Sequence, residues 1–144
     1  SFGYLLGKTL QPGYIVGLIG GIGAGKTCLA GGIAGAFGMD KRDFMSPTFN
    51  IVREHRQENA VIYHFDFYRL ESADELEKAG YREYITDPAA ITLIEWPDRI
   101  EETMTDCGIA VLIKRIRGGR RKILVYVKKC KLSRRQNRQK GNKK

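Results

Sequence analysis

The sequence is poor in cysteine and has no long hydrophobic run. Its three cysteines, Cys28, Cys107 and Cys130, form no C-x-x-C pair and are odd in number. This argues against a structural zinc site and a disulfide framework, and it favours a reducing, cytoplasmic setting. No apolar stretch approaches the roughly 20 residues that a membrane-spanning helix needs. We therefore exclude the membrane-spanning and disulfide-rich secreted classes.

Acidic residues are absent from residues 113–144, although this segment holds 15 of the 25 Lys and Arg residues. The rest of the chain, with 16 acidic residues, has a net charge of about −6, so the overall charge of +9 belongs to one end. Beyond Leu132 the chain has no large apolar side chain. We expect residues 128–144 to be a disordered basic tail that binds tRNA, if at all, weakly through its phosphates.

The remaining sequence predicts one α/β domain over residues 1–127. The apolar run 14–19 lies between Pro-Gly and Gly-Gly pairs, which is typical of a buried strand. Residues 26–37 carry apolar side chains at helical spacing, and Gly38 stands where a glycine would end the helix. The same criteria predict strands over 50–56, 60–67 and 90–95, short helices over 73–79 and 98–104, and a hairpin of 109–116 with 123–127.

Between the first strand and the first of these helices lies a phosphate-binding motif. Residues 20–27, GGIGAGKT, satisfy G-x-x-x-x-G-K-[ST] in full. Glycine lets the backbone turn its N–H groups toward phosphate oxygens, and the helix that follows adds its positive end. Lys26, at what we expect to be a solvent-facing helix start, would reach the β- and γ-phosphates, and the Thr27 hydroxyl would bind Mg²⁺. The predicted loop residues are Gly20, Gly21, Ile22, Gly23, Ala24, Gly25, Lys26 and Thr27.

Two carboxylates follow predicted strands and are candidates for the Mg²⁺ site. Glu95 follows the apolar run 91–94, and Asp66 follows 61–65. The carboxyl ends of parallel strands border the crevice in which α/β sheets bind ligands. His64 alternates with apolar neighbours, which favours a packed strand residue over a base. For Trp96 two roles stay open, stacking on a base or a partner and packing, and packing is the more usual role of a lone tryptophan.

Four segments, in their order and separation, closely resemble the TsaE (YjeE-type) family. They are the phosphate loop, 46–49 (SPTF), 64–70 (HFDFYRL) and 93–97 (LIEWP). The resemblance covers about residues 10–121. It implies a P-loop NTPase-like three-layer fold with a central mixed sheet and a C-terminal hairpin. It also implies a Mg²⁺-dependent ATPase, slow alone, that works with the TsaD and TsaB proteins in threonylcarbamoylation of adenosine 37 in tRNAs reading ANN codons.

The same resemblance implies a role for individual residues. Lys26, Asp66 and Glu95 would be catalytic, with Glu95 and Thr27 holding the metal and Asp66 assisting the metal or water. Thr48 would lie in a switch-like loop near the γ-phosphate, with Trp96 beside the nucleotide.

The chain departs from the family pattern at two positions, one in the phosphate loop and one directly after it. Gly21 stands where an acidic residue is usual. Cys28, which we still place among the nucleotide-binding residues, replaces a Thr or Ser and so removes a hydroxyl donor near the α-phosphate.

Two other classes fit parts of the sequence. The phosphate loop is also similar to that of small-molecule P-loop kinases, which carry an arginine-bearing lid. A non-catalytic RNA-binding module acting through the basic tail is the second alternative, and RNA binding that survives loss of Lys26 would favour it. The guanine motif N-K-x-D is absent, which disfavours a GTPase.

Overall fold

The computed structural model describes residues 1–47 and 49–129. Thr48 and residues 130–144, which include most of the predicted basic tail, lie outside the described residues. The roles predicted for them therefore stay predictions.

Six strands form one mixed sheet at the centre of the domain. They are β1 (Ile15–Ile19), β2 (Val52–Gln57), β3 (Ala60–Asp66), β4 (Ala90–Glu95), β5 (Ile109–Arg115) and β6 (Arg121–Val127). The order across the sheet is β2-β3-β4-β1-β5-β6. The four central strands are parallel, and each edge strand pairs antiparallel with its neighbour. This confirms the predicted mixed sheet and the C-terminal hairpin of β5 and β6.

Helices cover both faces of the sheet. They are α1 (Phe2–Thr9), α2 (Lys26–Gly35), α3 (Ala73–Lys78), α4 (Tyr81–Ile85) and α5 (Glu101–Asp106), with 3₁₀ turns at Lys41–Asp43, Pro97–Arg99 and Arg117–Gly119. One apolar core joins α2 to the sheet through Leu29, Ile33 and Leu93. A second core, on the opposite face, contains Phe65 and Leu76. Two cores separated by one sheet give the three layers that the sequence predicts.

Helix α1 was not predicted, because glycine in a short segment lowers helix propensity. Here its glycines allow close packing on α2. A Cβ on Gly3 would lie 2.9 Å from the carbonyl oxygen of Leu29, and one on Gly7 would lie 2.6 Å from the Ala36 Cβ. The close packing of α1 on α2 therefore explains these glycines, and the sequence of α1 alone does not reveal that contact.

Other elements differ from the prediction at their ends. Helix α2 ends at Gly35 and the chain turns at Gly38, whose φ of +79° suits glycine. The predicted helix over 98–104 is a 3₁₀ turn beginning at Pro97, followed by α5. At the open end of the β5–β6 hairpin, the backbone N–H of Lys128 donates to the carbonyl oxygen of Gly108. The first residue of the predicted tail is therefore still hydrogen-bonded to the residue that precedes β5.

Candidate nucleotide-binding site

The phosphate loop joins the carboxyl end of β1 to the start of α2. Gly23 and Gly25 have φ angles of +71° and +110°, in the left-handed region that glycine adopts without strain. At Gly20 the reason for glycine is space, because a Cβ would lie 2.8 Å from the carbonyl oxygen of Ile113. A Cβ on Gly21 would meet nothing within 4 Å, so the space around this position does not require glycine.

Lys26 points its ammonium group back into the loop. Its Nζ donates to the carbonyl oxygens of Gly20 and Gly21 at 2.7 and 2.8 Å. The residue is only 5% exposed, so the expectation of a solvent-facing position is wrong. Burial lowers the pKa of Lys26, while the nearby charges of Glu95 and Asp66 favour its protonated form. A cation held inside a phosphate loop is suited to binding anionic oxygens.

Glu95 connects the loop to the sheet. Its Oε1 accepts a hydrogen bond of 2.8 Å from the Thr27 hydroxyl, across 68 residues of sequence. Its Oε2 lies 2.6 Å from the Nε2 of His64, and Glu95 is 2% exposed. The predicted metal ligands Thr27 and Glu95 are therefore in direct contact.

Asp66 lies beside Glu95 because the two residues are register partners on the parallel strands β3 and β4. The Ser46 hydroxyl donates to Asp66 Oδ2, and the Tyr68 backbone N–H donates to Oδ1 at 2.9 Å. These donors fix the carboxylate at the edge of the site. It does not bond Thr27, and this difference from Glu95 agrees with separate roles for the two acids.

These groups border one cleft of about 330 Å³ at the carboxyl edge of the sheet. Its lining residues are Ile22, Gly23, Gly25, Lys26, Thr27, Cys28, Ser46, Asp66, Tyr68, Glu95 and Trp96. Gly20, Gly21 and Ala24 belong to the loop without lining the cleft. The structure thus brings the predicted site residues together, apart from Thr48, which lies outside the described residues. Their chemical roles remain predictions.

The donors in the cleft fit a magnesium ion that is shared with phosphates. No group of three or more His, Cys, Asp and Glu in the described part of the chain is arranged to hold a metal alone. Mg²⁺ is usually bound through one or two carboxylates together with substrate phosphates and water. The buried Glu95 carboxylate and the Thr27 hydroxyl beside the phosphate loop would provide the protein ligands of such a site, and the phosphates and water would provide the others.

Trp96 covers Lys26 from the side of β4. The Lys26 Nζ lies 4.0 Å from the ring centre, within the range of a cation–π contact. Trp96 has a φ of +59°, the one positive φ of a non-glycine residue among the described residues. Such a conformation is strained and is typical of functional sites. The predicted roles of Trp96 are packing and stacking. In the structure its ring packs against the Lys26 ammonium of the phosphate loop.

Two arginines of the hairpin reach the phosphate loop, and the sequence analysis missed both. Arg121 Nε donates to the carbonyl oxygen of Ala24 at 2.7 Å. An Arg115 nitrogen lies 3.4 Å from the position of a Cβ on Gly23. The two arginines are register partners across β5 and β6. The signal that points to them is the predicted hairpin itself, because β5 runs parallel to β1 and the turn of the hairpin therefore lies near the phosphate loop that follows β1.

The fold and this loop define a P-loop nucleotide-binding domain. The sequence model for "Threonylcarbamoyl adenosine biosynthesis protein TsaE" matches residues 1–123. The chain therefore belongs to the TsaE family. Membership of this family is compatible with binding of ATP and Mg²⁺, and it supports a role in nucleotide hydrolysis.

Individual relatives agree with this assignment. The chain is 35% identical over 117 residues to the tRNA threonylcarbamoyladenosine biosynthesis protein TsaE of Rickettsia conorii, covering 81% of this chain and 66% of that protein. It is 38% identical over 101 residues to the protein of the same name from Rickettsia felis, covering 70% of this chain and 58% of that protein. The chain thus spans less than two thirds of the length of these relatives.

A solved structure supports the fold. The crystal structure of YdiB from Bacillus subtilis superposes with a TM-score of 0.67 and 24% identity, covering 96% of this chain and 86% of the other. Within residues 1–47 and 49–129, we find no helix with the length and apolar character needed to cross a bilayer.

Proposed function

We propose that this chain is a Mg²⁺-dependent ATPase, slow on its own, that acts with TsaD and TsaB in threonylcarbamoylation of adenosine 37 in tRNAs reading ANN codons. Membership of the TsaE family and the names of the relatives support the pathway. The odd number of cysteines and the proposed tRNA substrate support a cytoplasmic location. Family membership favours this function over the kinase and RNA-binding alternatives.

One observation carries the ATPase proposal. The Thr27 hydroxyl bonds the Glu95 carboxylate at 2.8 Å, next to a lysine that is folded into a complete phosphate loop. A structural turn between a strand and a helix needs neither a buried ammonium nor a buried carboxylate. Both are costly to bury, and their presence supports a site built for a charged ligand.

The site residues divide the work of phosphoryl transfer. Bound Mg²⁺ would neutralise charge on the β- and γ-phosphates. Thr27 and Glu95 would hold the ion, and Lys26 would turn from the Gly20 and Gly21 carbonyl oxygens toward the phosphates. Asp66, held by Ser46 and the Tyr68 N–H, would orient the attacking water.

The proposal is tested in two steps. Purified protein is assayed for ATP binding and for phosphate release with Mg²⁺, alone and with TsaD and TsaB, and Lys26→Ala serves as the inactive variant. Cells depleted of the protein are then assayed for threonylcarbamoyladenosine at position 37, with rescue by the wild-type chain and by Lys26→Ala. We expect binding, slow hydrolysis that increases with the partners, and rescue by the wild type alone. Near-wild-type hydrolysis by a folded Lys26→Ala would contradict the site assignment.

A further inference from the structure

The Glu95 carboxylate is held from two directions. Its Oε1 accepts from the Thr27 hydroxyl at 2.8 Å, and its Oε2 faces the His64 Nε2 at 2.6 Å. Glu95 and His64 are 2% and 0% exposed. A buried carboxylate oxygen that loses its donor costs more than the hydrogen bond alone, because solvent cannot replace the donor. The orientation of Glu95 therefore depends on both His64 and Thr27.

Sheet register places His64 where it meets Glu95. Strands β3 and β4 are parallel, with Asp66 opposite Glu95 and His64 opposite Leu93. Alternation along each strand puts His64, Asp66 and Glu95 on the same face, toward α2. A shift of one residue would turn His64 to the opposite core. The contact is thus a product of the central sheet and not of a flexible loop.

The surroundings of His64 identify its hydrogen-bonding role. Its Nδ1 is buried and has no hydrogen-bond partner among the described residues. The Phe44 ring stacks on the imidazole, with centres 5.1 Å apart and planes at 18°. A hydrogen on Nε2 lets the ring donate to Glu95 and leaves Nδ1 as a bare acceptor. The opposite tautomer would bury an unpartnered N–H and place two acceptors 2.6 Å apart.

We propose that His64 is a positioning residue that holds Glu95 in the orientation in which it binds Mg²⁺, by donating from Nε2 to Oε2. This inference rests on the proposed binding of Mg²⁺ and ATP. His64 would act through the carboxylate and would not itself hold the phosphates or the ion. Groups that orient a metal ligand in this way typically change metal affinity by about 10- to 100-fold when they are removed.

The chain contains a matched control. His55, on β2, also stacks on Phe44, with ring centres 3.9 Å apart, and its Nε2 is likewise buried without a partner among the described residues. It makes no hydrogen bond to Glu95. Substitution of His55 therefore removes a half-buried imidazole that stacks on the same phenylalanine and leaves the carboxylate untouched.

The experiment measures the Mg²⁺ concentration that gives half-maximal binding of a fluorescent ATP analogue, together with analogue affinity in EDTA. We compare the wild type with His64→Leu, His64→Gln and His55→Leu. His64→Leu should raise the Mg²⁺ requirement by about 10- to 100-fold and leave affinity in EDTA unchanged. His64→Gln, whose amide donates from a similar position, should restore most of the wild-type value. His55→Leu should match the wild type.

A double-mutant comparison separates positioning from general packing. In a Glu95→Gln background, His64→Leu should add little to the Mg²⁺ requirement, because the residue acts through that carboxylate. Thermal unfolding checks each variant, and His64→Met replaces His64→Leu if the latter does not fold.

Two outcomes overturn the inference. One is a folded His64→Leu or His64→Met protein that needs no more Mg²⁺ than the wild type. The other is a His55→Leu protein whose Mg²⁺ requirement rises as much as that of His64→Leu. A wild-type chain that binds no nucleotide, with or without Mg²⁺, would instead contradict the proposed function itself.

Discussion

The Nζ atom of Lys26 lies 4.0 Å from the centre of the Trp96 ring, so the cation of the phosphate loop rests against an aromatic face. The same atom donates to the carbonyl oxygens of Gly20 and Gly21. These bonds use two of the three ammonium donors, so a phosphate that accepts more than one hydrogen bond from Lys26 displaces at least one carbonyl oxygen. We therefore expect the surroundings of the Trp96 indole to change when a nucleotide binds.

We predict that ATP with Mg²⁺ produces a saturable change in intrinsic tryptophan fluorescence. Trp96 is the single tryptophan of the chain, so the signal has one source. The change should require Lys26, and Lys26→Ala should show none over the same concentration range. Adenosine, which lacks phosphates, serves as the ligand control. Nucleotide binding by calorimetry without any change in emission would contradict the proposed competition.

We predict that Arg121→Ala weakens ATP binding by about fivefold, which corresponds to about 1 kcal/mol. The guanidinium of Arg121 holds the Ala24 carbonyl oxygen at 2.7 Å and adds positive charge near the loop. Arg120→Ala is the matched control, since Arg120 is exposed and its side chain bonds the nearby Arg117 carbonyl oxygen and not the phosphate loop in the described structure. Calorimetric titration measures both variants. Equal effects of the two substitutions would mean that net charge, and not the bond to the loop, is responsible.

The sequence predicted those parts of the site that depend on neighbouring residues. The phosphate loop is one continuous motif, and the strand that ends at Glu95 is one apolar run, so local patterns were sufficient. The place of Glu95 and Asp66 at the crevice followed from a topological rule, because the carboxyl ends of parallel strands lie at the same edge of a sheet. The structure adds the hydrogen bond of 2.8 Å between Thr27 and Glu95.

What the sequence did not predict depends on register and on long-range packing. His64 was interpreted as a packed strand residue because its partner is 31 residues away and the pairing of β3 with β4 is not a local pattern. Arg115 and Arg121 were counted only as part of the charge excess, because their position over the loop depends on the hairpin register. Helix α1 was missed because its Gly3 and Gly7 lower helix propensity while allowing close contact with α2.

We predict that the free energy of unfolding decreases as the pH falls from about 6.5 toward 4, partly because of His55. Burial is the main cause that lowers the pKa of His55 to about 4, below the value of about 6.5 expected for an unfolded chain. Protonation therefore favours the unfolded state over this interval. The stabilisation is complete above the unfolded pKa and is lost as the pH approaches the folded one.

The variant His55→Phe should reduce this pH dependence, because it stacks on Phe44 without a titrating nitrogen. Urea unfolding at several pH values between 7 and 4 measures the slope for both proteins. A slope that is the same in His55→Phe and in the wild type would show that other groups account for the acid sensitivity.

We predict that Glu95→Gln and Asp66→Asn affect different steps. Glu95 bonds Thr27, and Gln at this position keeps the shape but loses the charge that attracts Mg²⁺. The variant should therefore need a higher Mg²⁺ concentration to bind ATP. Asp66 bonds Ser46 and the Tyr68 N–H instead of Thr27, so Asp66→Asn should bind ATP normally and hydrolyse it at least about 100-fold more slowly, the low end of the usual effect of a general base.

Binding of ATP as a function of Mg²⁺ and the rate of phosphate release are measured for both variants, with and without TsaD and TsaB. The partners matter because hydrolysis by the chain alone is expected to be slow. The two carboxylates are register partners on neighbouring strands, so a disturbance of the sheet would affect both measurements in both variants. Mg²⁺-dependent affinity that is unchanged in Glu95→Gln but lost in Asp66→Asn would exchange the two roles, making Asp66 the metal ligand and leaving Glu95 to orient the water.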